Sequence, residues 1–108
     1  MLLDQLERIG GGEPCVVVGH SIGGTIATVA AEREPALFHH LVFVTSVVPG
    51  SAGLSMAEWW CAPALQRRIV RELDEVSAAP TTVVELPSTH SPFLSHPAEL
   101  ADVIATVR

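Results

Sequence analysis

Tyrosine is absent from this 108-residue chain, and the aromatic share is only 5%. A core without large rings has to be built from Val, Leu, Ile and Ala. Positive charge is scarce as well: 6 bases stand against 12 acids, for a net charge of -6. Arg67, Arg68 and Arg71 lie beside Glu72, Asp74 and Glu75, so no basic patch forms. Neither nucleic acid nor an anionic membrane surface is an expected partner on that ground. Long apolar runs are missing too. The longest, around Cys15–Val18 and Leu41–Val48, are too short to span a bilayer. The first residues, with Asp4 and Glu7, lack the apolar centre of a signal peptide. The two cysteines, Cys15 and Cys61, have no metal-ligand spacing, and neither a disulfide nor a thiol nucleophile is expected of them. These absences leave a cytoplasmic globular protein as the expectation.

What is present is apolar and ordered. Hydrophobic residues make up 48% of the chain and charged residues 17%, a balance that excludes disorder. The length suits one domain, residues 1–108, and a domain of this size buries about two-thirds of its unfolded surface. Leu2, Leu3, Leu6 and Ile9 predict a short amphipathic helix, ended by Gly10-Gly11-Gly12. Pro14 to Val18 is an apolar run without polar alternation, the pattern of a strand covered on both faces. Ile22 to Glu34 is Ala-rich and helical, stopping before Pro35. Leu41 to Thr45 predicts a second buried strand, and Pro49 to Gly53 a loop. Pro63 starts a helix to about Asp74, with Leu65, Ile69 and Leu73 on one face. Thr82 to Leu86 predicts a third strand, and Pro97 opens a last helix, Ala98 to Val107, with Leu100, Val103, Ile104 and Val107 inward. Helices alternating with buried strands imply an α/β fold, with a short, mostly parallel sheet of about three strands and right-handed crossovers.

Between the first strand and its helix stands Gly19-His20-Ser21-Ile22-Gly23. A Gly-x-Ser-x-Gly run in that setting bends the chain so sharply that the serine hydroxyl projects above the sheet. Gly19 and Gly23 are expected to allow the close approach of strand and helix. Ser21 is the expected nucleophile, and the Ile22 amide at the helix start is the expected donor to an oxyanion. A serine needs a base. His90, in the loop after the third predicted strand, shares the carboxyl edge of the sheet with Ser21 and is the expected one. His20 is expected to pack and hydrogen-bond near the site without acting as base. His39 and His40 are expected in a solvated turn, and His96 as a neighbour of the last helix's cap.

The chain resembles the serine α/β-hydrolase superfamily, in particular the small esterase branch like plant methylesterases and hydroxynitrile lyases. The resemblance rests on the elbow with Gly24 and its Ala-rich helix, on Leu41-Val42-Phe43-Val44-Thr45, and on Thr89-His90-Ser91-Pro92-Phe93-Leu94 followed by Pro97-Ala98-Glu99-Leu100. It maps onto the central and C-terminal parts of the family. It implies a three-layer α/β/α arrangement reduced to a minimal, truncated core without the family's early strands, the loop bearing a second oxyanion donor, or the cap. The family's acid precedes a helix like Pro63 to Arg71, and here Trp60-Cys61-Ala62-Pro63 holds no carboxylate. Glu58 is the nearest substitute, Asp74 and Glu75 belong to the far end of their helix, and no acid is assigned. The expected function is hydrolysis of small carboxylic esters by Ser21 and His90, with no metal or organic cofactor. The motif does not separate esters from amides, thioesters or cyanohydrins. The alternative is a non-catalytic remnant used for binding or assembly. The strand from Pro14 to Val18 has no lysine or internal proline to protect an open edge, which predicts a homo-oligomer.

Overall fold

The computed structural model describes residues 1–46, 63–76 and 78–107. The loop predicted at Pro49–Gly53, and Glu58, Trp59, Trp60 and Cys61, lie outside the described residues. Helix α1, Leu2–Gly10, ends where predicted: Gly11 takes a left-handed conformation at φ 59° and its amide donates to the Glu7 carbonyl. Strand β1, Cys15–His20, leads through Ser21 and Ile22 into helix α2, Gly23–Arg33. A 3₁₀ turn at Pro35–Leu37 follows, and strand β2, Phe38–Val44, returns parallel to β1. This is one βαβ unit, whose crossover helix α2 packs on both strands. Helix α3 runs Pro63–Val76, α4 is the short Pro92–Ser95, and α5 is Pro97–Ala105. Among the described residues no helix is long and apolar enough to cross a membrane.

The α/β class stands, with two corrections to its details. Strand β2 begins at Phe38, three residues earlier than predicted. His39 and His40 therefore sit in the strand and not in a turn, although both are exposed as expected of solvated side chains. Their polarity hid the strand, because the backbone pairs regardless: Val16 is in register with His40. The third predicted strand forms no ladder among the described residues, and the sheet has two strands, not three. Residues 81–86 belong to no regular element and line, with β2, a cleft of about 1690 Å³, with Val83 and Val84 exposed. An apolar β-branched run supplies the propensity for a strand, whereas a strand also needs a neighbour within hydrogen-bond reach.

The buried core is small. Leu6 of α1, Ala27 and Ala30 of α2 and Val44 of β2 are buried, and Ile69 of α3 is the most deeply buried side chain described. Leu100, Val103, Ile104 and Val107, expected to face inward, are half-buried and line the cleft. Cys15 is a free thiol.

Candidate active site

The register of the two strands sets the site. His20 and Val44 are the last paired residues, so Ser21 and Thr45 leave the sheet side by side at its carboxyl edge. Both turn with positive φ, 54° for Ser21 and 40° for Thr45. Non-glycine residues rarely adopt this region, and such strain collects at functional sites. The Ser21 amide donates to the Val44 carbonyl at 3.3 Å, which ties the bend back to the sheet. The Ser21 carbonyl accepts from the Gly24 amide at 3.3 Å and from the Ser46 hydroxyl at 2.5 Å. Three bonds thus fix the backbone of one strained residue.

Close packing makes the bend possible. A Cβ on Gly19 would stand 2.7 Å from the Gly24 Cα, and one on Gly24 would meet Ser46 Oγ at 1.8 Å and the Phe43 ring at 2.8 Å. A Cβ on Gly23 would meet nothing within 4 Å. The motif leads one to expect Gly19 and Gly23 at this contact; the glycines that strand and helix require are Gly19 and Gly24. The motif's spacing suggests Gly23, whereas the point of contact is decided by how α2 crosses Phe43 and Ser46.

Ile22 is the N-cap of α2, and its amide donates to no backbone carbonyl among the described residues. That amide stands at the positive end of an 11-residue helix, where partial positive charge concentrates. Among the described residues the Ser21 hydroxyl has no hydrogen-bond partner, so it is not joined directly to the His90 ring. Hydrogen bonds of catalysis often tighten only when substrate is bound.

His90 nevertheless belongs to this edge of the sheet. Its carbonyl accepts from the His20 Nε2–H at 2.9 Å and from the Thr45 hydroxyl at 2.6 Å. The His20 and His90 rings lie 4.8 Å apart, and Phe93 meets His20 edge-on at 4.9 Å. His20 therefore packs and hydrogen-bonds, as its place on the tight turn suggested. His96 is the N-cap residue of α5, with its Nδ1 3.0 Å from Ser95 Oγ. Thr45, Ser46 and Phe93 were not singled out from the sequence. The signal for Thr45 was a β-branched residue just past a buried strand, and that pattern is too common to select one.

Several described carboxylates are engaged elsewhere. Glu85 pairs with Arg67 at 3.1 Å and Glu72 with Arg68 at 2.8 Å. Asp74 accepts from the Thr81 amide at 2.7 Å, and hydrogen bonds from the Thr81 side chain and backbone hold its carboxyl below the usual range. No group of three metal-ligating side chains occurs among the described residues.

A strand, a strained serine and a helix start, sealed by two obligatory glycines, now have counterparts among known proteins. The profile of the alpha/beta hydrolase fold matches residues 1–82. The chain belongs to the α/β hydrolase fold family. Methylesterase 9 of Arabidopsis thaliana is 44% identical over 48 residues, which cover 44% of this chain and 19% of that protein. The chain thus matches less than two-thirds of the length of this curated relative. No solved structure matches it. The resemblance to the esterase branch agrees with the methylesterase match.

Proposed function

We propose that this chain hydrolyses small carboxylic esters through Ser21 as nucleophile and His90 as general base. The observation that supports the reading most directly is the backbone of Ser21, held at φ 54° between β1 and the start of α2. Ser21 Oγ would attack the ester carbonyl while His90 accepts its proton. The resulting oxyanion would be met by the Ile22 amide, aided by the helix end. Collapse would expel the alcohol, which takes the proton from His90, and leave an acyl-serine. Water, activated by the same imidazole, would then release the acid and restore Ser21. The name of the methylesterase relative favours esters over amides, thioesters or cyanohydrins. No step calls on a metal or organic cofactor. The cytoplasm is the proposed compartment.

A second reading is kept because the Ser21 hydroxyl makes no hydrogen bond among the described residues and no acid is assigned. It treats the chain as a non-catalytic remnant that binds or assembles. The test is labelling by a serine-directed phosphonate with peptide mapping, joined to turnover of p-nitrophenyl acetate. Label on Ser21, loss of turnover in Ser21→Ala, and a fall of about two to four orders of magnitude in His90→Ala support the hydrolase. His39→Ala and His40→Ala should change little. Absence of label, with turnover surviving Ser21→Ala, would leave the remnant reading in its place.

Self-association is proposed alongside either reading. Among the described residues β1 pairs only with β2 and its other edge meets no strand, and Val16 and Val18 are exposed. A second copy is the occupant this edge suits.

A further inference from the structure

The base is carried by a segment with little regular structure to hold it. Residues 80–91 belong to no helix or ladder, and His90 is exposed. Among the described residues, its hydrogen bonds to the ends of β1 and β2 meet at one atom, the His90 carbonyl oxygen. We propose that Thr45 and His20 are positioning residues that clamp this oxygen and thereby set where the His90 imidazole stands relative to Ser21. The proposal rests on the reading of Ser21 and His90 as nucleophile and base.

A carbonyl oxygen has two lone pairs, and here each receives a donor, the Thr45 hydroxyl at 2.6 Å and the His20 Nε2–H at 2.9 Å. The donors come from different strands. His20 is the last residue of β1, immediately before Ser21, and Thr45 is the first residue beyond β2. Because His20 is in register with Val44, and the Ser21 amide bonds to the Val44 carbonyl, both donors are rigidly tied to the nucleophile. The clamp therefore refers the base to the same strand ends that fix Ser21. Phe93, three residues past His90, meets the His20 ring edge-on at 88°, so both ends of the turn from 90 to 93 touch His20. With its Nε2–H donated to a carbonyl, His20 is committed to holding and cannot accept a proton through that nitrogen.

Thr45 supplies an independent observation. A β-branched residue at φ 40° is a genuine outlier, and glycine or asparagine would sit there more comfortably. The strained bend directs its hydroxyl to a carbonyl 45 residues further along the chain. Retention of threonine in that conformation is accounted for if the hydroxyl is what the position requires.

The test compares Thr45→Val, Thr45→Ser, His20→Ala, His20→Gln and the double variant Thr45→Val/His20→Ala in ester turnover, phosphonate labelling of Ser21 and thermal midpoint. Misplacement of a reacting group by about 1 Å can cost about a hundredfold in rate. Each single loss of a donor should lower kcat by about tenfold, with KM within about twofold, because one donor remains. The double variant should fall by more than the product of the two singles, since both share one acceptor. Thr45→Ser and His20→Gln, which keep a donor, should recover most of the rate. A double variant that turns over at the wild-type rate would overturn the proposal. So would a loss in Thr45→Ser equal to that in Thr45→Val, or rates that simply follow thermal midpoints. Failure of the underlying reading looks different: the wild-type chain itself takes no label on Ser21, and the clamp then has no base to position.

Discussion

From Cys15 to Val44, strand, helix and strand close on one another until a single added methyl group would collide at Gly19 or Gly24. From Pro63 onward, α3, residues 79–86 and α5 stand around an open cleft, and Ile69 is the only fully buried large side chain described. The first region fixes the bend at Ser21, the proposed nucleophile, by contacts within 25 residues. The second carries His90, the proposed base, and its carbonyl is bonded by His20 and Thr45 of the first. The contrast teaches that a strained serine turn can be complete in a short stretch of chain, while the proposed partner of that serine depends on packing from far away.

The largest expected effect breaks the dense region. Gly24→Ala places a methyl group against Ser46 and Phe43, where α2 and β2 leave no room, and should cost about 3 kcal/mol in denaturant unfolding. Gly23→Ala adds its methyl to open space at the first helical position and should be neutral or stabilise by up to about 1 kcal/mol. Equal losses at the two sites would show that α2 is seated differently on the strands. The matching change in the open region is Ile69→Ala. A loosely walled site can collapse around the deletion, so the loss should lie near the low end for buried isoleucine, about 2 kcal/mol. A loss well above that would mean the cleft is better supported than its lining suggests.

A smaller effect probes the open edge of β1. Val16→Lys puts a charge on that half-exposed strand and should shift light-scattering mass toward the 11.4 kDa monomer at micromolar concentration, with the fold retained. A wild-type chain that is already a sharp monomer would remove the proposed association.

The smallest effect belongs to pH. The Asp74 carboxyl is lowered by its hydrogen bonds from Thr81. The contribution of these bonds is fully present above the ordinary aspartate value of about 3.9 and is lost as pH falls through the lowered folded value. Asp74→Ala should therefore speed exchange of the Thr81 amide at about pH 6, relative to wild type, and the difference should vanish in strong acid. A difference that persists in acid would assign the protection to another partner.

Much of this was legible in the sequence, for reasons that differ by element. Helix α1 was visible because its apolar spacing and terminal glycines agree, and β1 because an unbroken β-branched run has few other uses. Ser21 and its helix were visible because the motif and its flanks are contiguous. The start of β2 was hidden by His39 and His40, whose side chains are solvated while their backbone pairs. Helix α4, at four residues, is too short to show a period. Residues 82–86 carried strand propensity, yet no residue pattern states whether a neighbouring strand is within reach. Gly24 in place of Gly23 depended on the crossing of α2 over Phe43. The bonds from Thr45 and His20 to His90 span 45 and 70 residues, and nothing local announces them.

Those spans also order events in time. The bend at Ser21 is closed by contacts with Gly24, Val44 and Ser46, all within 25 residues, whereas the His20 contact must close a loop of 70. Chain entropy makes longer closures slower and later, since contacts distant in sequence repay their cost only after the chain has been gathered. During refolding the turn at Ser21 should thus appear first, as helical signal, and the proposed esterase activity should follow once His90 docks. A stopped-flow comparison of circular dichroism with recovered turnover would reveal the lag, and on the proposed reading a chain emerging from the ribosome would form its serine turn some time before the base reached it.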